Sequence, residues 1–316
     1  MEFGVRIITN TTLKTMQRKD DMEKTLGETN LKELGVPKRG KVRDVYDLGD
    51  KLLIIASDRL SAFDVVLPTG IPDKGKVLTK LSVYWFKKVE DIVKNHILEV
   101  NVDNYPDALR KYADVLRDRS MLVKKAKVIP VECVVRGYLS GSGWSDYKKM
   151  GSVCGIELPE GLVESSKLER PIFTPTTKAE EGHDMSISFE EVVGIVGEGI
   201  ATKLRDLSIK VYEKGCEIAE HKGIIIADTK FEFGMVDDEI VIIDEVLTPD
   251  SSRFWSKKLY KPGGAQDSYD KQIVRDYLNT LDWDKTYPGP ELPEAIAGKA
   301  RARYFEILEI LTGQGL

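Results

Sequence analysis

Asp228, Lys230 and Glu232 stand two residues apart in the stretch IADTKFEFG (226–234), directly after the apolar run GIII (223–226). That composition predicts a β-strand, on which alternate side chains share a face. The three ionisable groups then lie on one face, with Thr229, Phe231 and Phe233 on the core face. Such a strand suits a metal-bound, phosphorylated ligand. A second strand is predicted for EIVIIDE (239–245). With Asp237, Asp238 and Glu239 as a three-residue hairpin loop, Val236 pairs with Ile240 and Glu232 faces Asp244, their Cβ atoms about 4.5–5.5 Å apart. Two carboxylates at that range repel unless a cation separates them. Mg²⁺ takes one or two carboxylates and leaves its other positions to water and phosphate. The alternative is that Lys230 neutralises two structural carboxylates.

Three further stretches carry anion-binding groups. GKVRDVY (40–46) could lay backbone N–H groups, Lys41 and Arg43 over a triphosphate. Its spacing is not that of GxxxxGK[ST], and a basic strand edge is the other reading. ECVVRGYLSGSGW (132–144) joins an apolar strand to a Gly/Ser loop and offers Arg136 and Ser142 to a phosphate ester; alternatively, Glu132 and Arg136 pair with each other. DEVLTPDSSR (244–253) turns at Pro249 and delivers Arg253 to the same neighbourhood, and SDRLSAFD (57–64) adds a polar loop. Together these supply a cation site, a triphosphate loop and a two-arginine anion site, without an evident protein nucleophile.

The elements that must position these groups follow from pattern. VRDVYDL, GD and KLLIIAS (42–57) predict a hairpin. Leu78, Leu81, Trp85, Val89 and Ile92 recur at helical spacing. KKAKVIPVECVVRGYL (124–139) predicts two strand segments bent at Pro130, where two lobes would join. Residues 151–184 read as loops. Ser188 and Glu191 form a capping box that opens a helical region, weakened at Gly194, Gly197 and Gly199, running to Gly223. Residues 268–281 and 293–311 read as closing helices. The class is α+β.

At 316 residues the chain can hold two lobes or one large domain, and its net charge of −5 offers no global attraction to nucleic acid or membrane. No apolar run nears the ~20 residues of a membrane span, and the first residues lack a signal-peptide stretch, so a cytoplasmic location is expected. Three cysteines without a CxxC pattern and three histidines argue against a disulfide framework and a zinc site.

From about Lys38 to Leu281 the chain resembles the phosphoribosylaminoimidazole-succinocarboxamide synthase (SAICAR synthetase) family. IADTKFEFG and IPVECVVRGYLSGS match its two signature stretches; GKVRDVY, SDRLSAFD, FTPTTKAEEGHD, IDEVLTPDSSRFW and SYDKQIVRDYL fit its longer members. The resemblance implies an ATP-grasp-like two-lobe α+β fold with ATP between the lobes: an extension at 1–22, a β-rich ATP lobe at 23–127 and an α+β lobe at 128–316. It implies ATP-dependent ligation of L-aspartate to the carboxylate of carboxyaminoimidazole ribonucleotide (CAIR), through an acyl phosphate, with Mg²⁺. Carried over by position, Lys41, Val42, Arg43 and Lys178 approach the ATP phosphates, and the hinge from Lys125 through Lys127 to Ile129 presents backbone groups to adenine. Glu232 and Asp244 hold the metal. Asp228, Lys230 and Glu232 form the catalytic group. Arg136, Ser142, Asp228, Lys230 and Arg253 bind CAIR, and Asp58, Ser61, Lys271 and Gln272 are candidates for the aspartate pocket. Small-molecule partners, no nucleic acid and no membrane are expected. The competing reading is a kinase of the related inositol polyphosphate kinase fold; a non-enzymatic nucleotide-binding regulator is a third.

Overall fold

The computed structural model describes residues 25–178 and 185–316. The expected extension at 1–22 and the AEEGHD segment (179–184) lie outside the described residues. The first sheet has five antiparallel strands in the order β1-β2-β3-β7-β6: β1 (Lys38–Arg39), β2 (Arg43–Asp47), β3 (Lys51–Ala56), β6 (Ile97–Glu99) and β7 (Ser120–Lys124). A small hairpin, β4 (Ser61–Ala62) and β5 (Val65–Val66), follows β3. Alternation along β3 decides its packing. Leu53 and Ile55 join Tyr46, Leu116 and Leu122 in one core, while Ile54 faces the other, with Leu78, Leu81 and Trp85 of helix α1 (Lys74–Lys88).

The second sheet runs β11-β8-β13-β14, with β12 also on β8 and β15 also on β13. Its strands are β8 (Lys127–Tyr138), β11 (Lys167–Phe173), β12 (Thr176–Thr177), β13 (Ile224–Val236), β14 (Glu239–Ile243) and β15 (Ser252–Ser256). Thr229, Phe231 and Phe233 are buried, as the alternation requires. Behind them lies helix α4 (Glu198–Glu220), whose Tyr212 hydroxyl donates to the Ile226 carbonyl at 2.7 Å. Helix α3 (Phe189–Val196) opens with the expected Ser188/Glu191 capping box and is parted from α4 at Gly197, where φ is 83°. Helix α2 (Gly141–Met150) and a small hairpin, β9 (Ser152–Val153) and β10 (Ile156–Glu157), follow β8. The chain closes with α5 (Gln272–Leu278) and α6 (Glu294–Thr312), and α6 packs on α1. The result is a two-lobe α+β architecture whose largest core runs from α1 through to α6.

Two local expectations need correction. Residues 127–138 form one strand rather than two segments. Its pairing with β13 slips between Glu232↔Glu132 and Gly234↔Val128, so that Ile129, Pro130 and Val131 stand opposite Phe233 alone. Pro130 has no N–H for the ladder, and a bulge is where a sheet accommodates it. Residues 151–184 are not all loop: β11 lies there despite Pro171, because it is an edge strand whose register also shifts.

The aromatic backing of β13 should dominate its stability. Phe231 has no exposed surface. Phe231→Ala is expected to cost about 3–5 kcal/mol in urea unfolding, whereas Leu259→Ala, on the surface, should cost little. Equal losses would contradict this placement of the core.

Candidate active site

Register builds the floor of the site. Because β13 pairs with β8 at Asp228↔Arg136, Lys230↔Val134 and Glu232↔Glu132, these charged side chains share one face. Asp228 Oδ2 accepts from Arg136 Nη1 at 2.9 Å and from Arg253 Nη1, carried by β15, at 2.5 Å. Arg136 also donates to Ser142 Oγ (2.9 Å) and Thr174 Oγ1 (3.0 Å). Asp228 holds the Arg253 guanidinium above its ordinary pKa. Burial pulls Arg136 below its own, more than Asp228 restores. Gly141 has φ 55°, and a Cβ there would strike the Arg253 guanidinium, so the α2 entry requires glycine. Arg136 and Asp228 are buried beneath the cleft, whereas Arg253 and Ser142 line it.

The cleft above this floor has a volume of about 880 Å³. Seven cationic and six acidic side chains line it, so charge is nearly balanced inside the protein. Lys41 pairs with Asp64, Lys178 with Glu232, Lys230 with Glu132, and Arg43 with both Asp244 and Glu245. Burial works against the Arg43 charge, but Asp244 and Glu245 outweigh it and hold its pKa above the ordinary value. At the far end, the buried Asp250 accepts from Lys74 Nζ (2.6 Å) and the Tyr304 hydroxyl (2.9 Å) and lies 3.8 Å from Lys271 Nζ. Burial disfavours the Asp250 charge, yet Lys271 and Lys74 keep its pKa well below the usual carboxylate range. Burial lowers that of Lys271 despite Asp250.

The expected hairpin register is one residue out. Val236 pairs with Glu239 and Glu232 with Ile243, leaving a two-residue turn, Asp237-Asp238. Both aspartates adopt positive φ (50° and 62°), which the favoured two-residue hairpin turn needs and Asp tolerates. Asp244 lies just past β14 at φ 68° and lines the cleft with Glu232 without being its strand partner; Glu132 is.

Of the sequence candidates, the cleft gathers Lys41, Val42, Arg43, Ser61, Ser142, Lys178, Lys230, Glu232, Asp244, Arg253, Lys271 and Gln272. Four others stand apart from it. Asp58 is buried and accepts from the N–H groups of Leu26 (2.8 Å) and Gly75 (3.0 Å) and from Arg119 (2.9 Å), which leaves it no role as a pocket ligand. Lys125 pairs with Asp47 on the surface, Lys127 opposes Met235 at the start of β8, and Ile129 is buried in the core. Sequence reasoning missed Asp64, Glu245, Asp250 and Arg275 in the lining. For Arg275 a signal existed, since it lies four residues after Lys271, within reach of the same helix face.

The SAICAR synthetase family matches residues 37–290. The phosphoribosylaminoimidazole-succinocarboxamide synthase of Thermodesulfovibrio yellowstonii is 61% identical over 291 residues, covering 92% of this chain and all of the relative. That of Geotalea uraniireducens is 59% identical over 295 residues, covering 93% and 100%. Among solved structures, a Saccharomyces cerevisiae SAICAR synthase complexed with SAICAR superposes with TM-score 0.84 at 45% identity, over 92% of this chain and 99% of that one. A SAICAR synthetase in complex with ADP gives 0.65 at 26%, over 89% and 99%.

Removing one partner of a buried ion pair strands the other charge. Asp228→Asn is therefore expected to lower unfolding stability by about 3–5 kcal/mol. A loss under about 1 kcal/mol in urea unfolding would show that the two arginines do not depend on this carboxylate.

Proposed function

The chain belongs to the SAICAR synthetase family, and we infer from that membership and from the cleft that it joins L-aspartate to the carboxylate of CAIR, converting ATP to ADP and phosphate and yielding SAICAR in purine biosynthesis. The observation that carries the reading is the cleft itself, where cations from both sheets converge over the Asp228-Lys230-Glu232 face. A carboxylate is a poor electrophile. Transfer of the γ-phosphoryl group makes it an acyl phosphate, which the aspartate amine attacks with loss of phosphate. Phosphoryl transfer needs positioning and charge neutralisation rather than a protein nucleophile. The absence of a Ser/His or Cys/His pair from the sequence candidates agrees with that demand.

We assign residue roles from the family resemblance together with position around the cleft. Lys41, Arg43 and Lys178, with the N–H groups around Val42, receive the ATP phosphates. Their present partners are carboxylates, so binding exchanges one anion for another. Arg253 and Ser142 receive the CAIR phosphate, held from beneath by Arg136 and Asp228. Lys230 sits between that site and the nucleotide and orients the reacting carboxylate. Lys271, Gln272 and Ser61 remain for aspartate. Glu232 and Asp244 line the cleft and supply hard oxygen donors. That fits Mg²⁺, which binds through one or two carboxylates together with nucleotide phosphates and water. Held by Glu232 and Asp244, a divalent cation would supply positive charge to the transferring phosphoryl group.

We assign residues 23–127 to the nucleotide lobe and 128–316 to the substrate lobe, with 1–22 as an extension. Among the described residues no helix is long and apolar enough to cross a membrane, and we propose a cytoplasmic enzyme.

ADP release measured with CAIR, with and without aspartate, tests the reaction. Release that requires aspartate is expected. Equal release without it would favour a kinase, and none in either case a binding protein. Glu232→Gln should keep the fold and lower kcat by about a hundredfold, on the scale of losing one charge-stabilising group; wild-type turnover at ordinary Mg²⁺ would remove Glu232 from the metal site.

A further inference from the structure

Arg59 lies in none of the roles above, yet its guanidinium is enclosed by the loop that carries Lys41 and Arg43. Nε donates to the Lys41 carbonyl at 3.1 Å. Nη2 donates to the carbonyls of Gly40 (3.0 Å) and Arg43 (3.1 Å) and to Asp44 Oδ1 (2.9 Å), and Nη1 to the Gly27 carbonyl. The remaining carbonyl of the loop, that of Val42, accepts from Ser57 N (3.0 Å) and Oγ (2.9 Å). Every carbonyl from Gly40 to Arg43 thus turns toward residues 57–59. Asp44 offsets the Arg59 charge and is itself fixed by the N–H and hydroxyl of Thr29, each at 2.7 Å.

Peptide planarity sets the consequence. In a trans peptide the carbonyl and the following N–H point in opposite directions. With the Gly40 and Lys41 carbonyls drawn to Arg59, the N–H groups of Lys41 and Val42 point away from it. Both residues line the cleft, and neither N–H donates a hydrogen bond among the described residues. Successive N–H groups presented this way form an anion-binding concavity.

We propose that Arg59 is a positioning residue for nucleotide binding: its guanidinium holds the loop carbonyls inward so that the Lys41 and Val42 N–H groups cradle the polyphosphate of ATP. The proposal rests on the reading of this cleft as an ATP site. Arginine is required because its planar fork reaches several carbonyls at fixed angles, whereas an ammonium is a point donor on a flexible stem.

The test is calorimetric titration of Mg·ATP and, separately, CAIR into the full chain, as wild type, Arg59→Lys, Arg59→Ala and Lys41→Ala. Arg59→Lys retains the charge and guards against loss of fold in Arg59→Ala. Arg59→Lys is expected to raise the ATP dissociation constant and KM about tenfold or more, with kcat at saturating ATP and the CAIR constant within about twofold. An unchanged ATP constant in Arg59→Lys, while Lys41→Ala weakens ATP, would overturn the brace alone. Parallel loss of ATP and CAIR affinity would reduce Arg59 to general support and also overturn it. If Lys41→Ala leaves ATP binding intact as well, the reading of the cleft fails, and the brace fails with it.

Discussion

The antiparallel register of β13 on β8 is the constraint from which the rest of the site follows. It sets Asp228 opposite Arg136 and lets β15, on the other side of β13, add Arg253 to the same carboxylate oxygen. One residue of slip would turn Asp228, Lys230 and Glu232 into the core and Phe231 and Phe233 into the cleft. The aromatic face against α4 prevents that slip, so hydrophobic packing behind the strand fixes the chemistry in front of it.

Burial then divides the ion pairs into two kinds. Arg136 and Asp228 have side chains only 7% and 5% exposed, and breaking such a pair costs about 3–5 kcal/mol. Lys41 and Asp64 are 51% and 47% exposed, and Lys178 and Glu232 36% and 16%. Pairs of this wetter kind are worth about 0–1 kcal/mol. The buried clamp therefore persists through turnover, whereas Lys41 and Lys178 can move to phosphates at small cost; Arg43, 14% exposed between Asp244 and Glu245, is held more firmly. An internally neutralised cleft also avoids uncompensated cations among themselves while leaving each within reach of a ligand anion.

How much of this was legible in the sequence depends on how local the cause is. The face of β13, the β2–β3 hairpin, the α1 stripe and the α3 capping box rest on period and on neighbours a few residues away, and each was readable. The β13–β14 register was missed because Asp237 and Asp238 both accept left-handed backbone, a choice made by the twist of the paired strands. β11 was hidden by Pro171, which an edge strand tolerates. The partners of Asp58 and Arg59 explain the other error. Adjacent in one polar motif, they look alike in sequence, but Asp58 faces Arg119 and the N–H groups of Leu26 and Gly75, and Arg59 faces the carbonyls of the 40–43 loop. Those pairings span up to 61 residues and exist only after folding.

The central claim is that substrate anions replace cleft carboxylates as partners of the cleft cations while the Asp228 clamp stays closed. A crystal structure with CAIR, Mg²⁺ and a non-hydrolysable ATP analogue tests it most directly. The account requires Lys41 and Lys178 to leave Asp64 and Glu232 for the nucleotide phosphates, with Asp228 still bound by Arg136 and Arg253. Nucleotide bound with both outer pairs intact, or with the Asp228 clamp open, would contradict it.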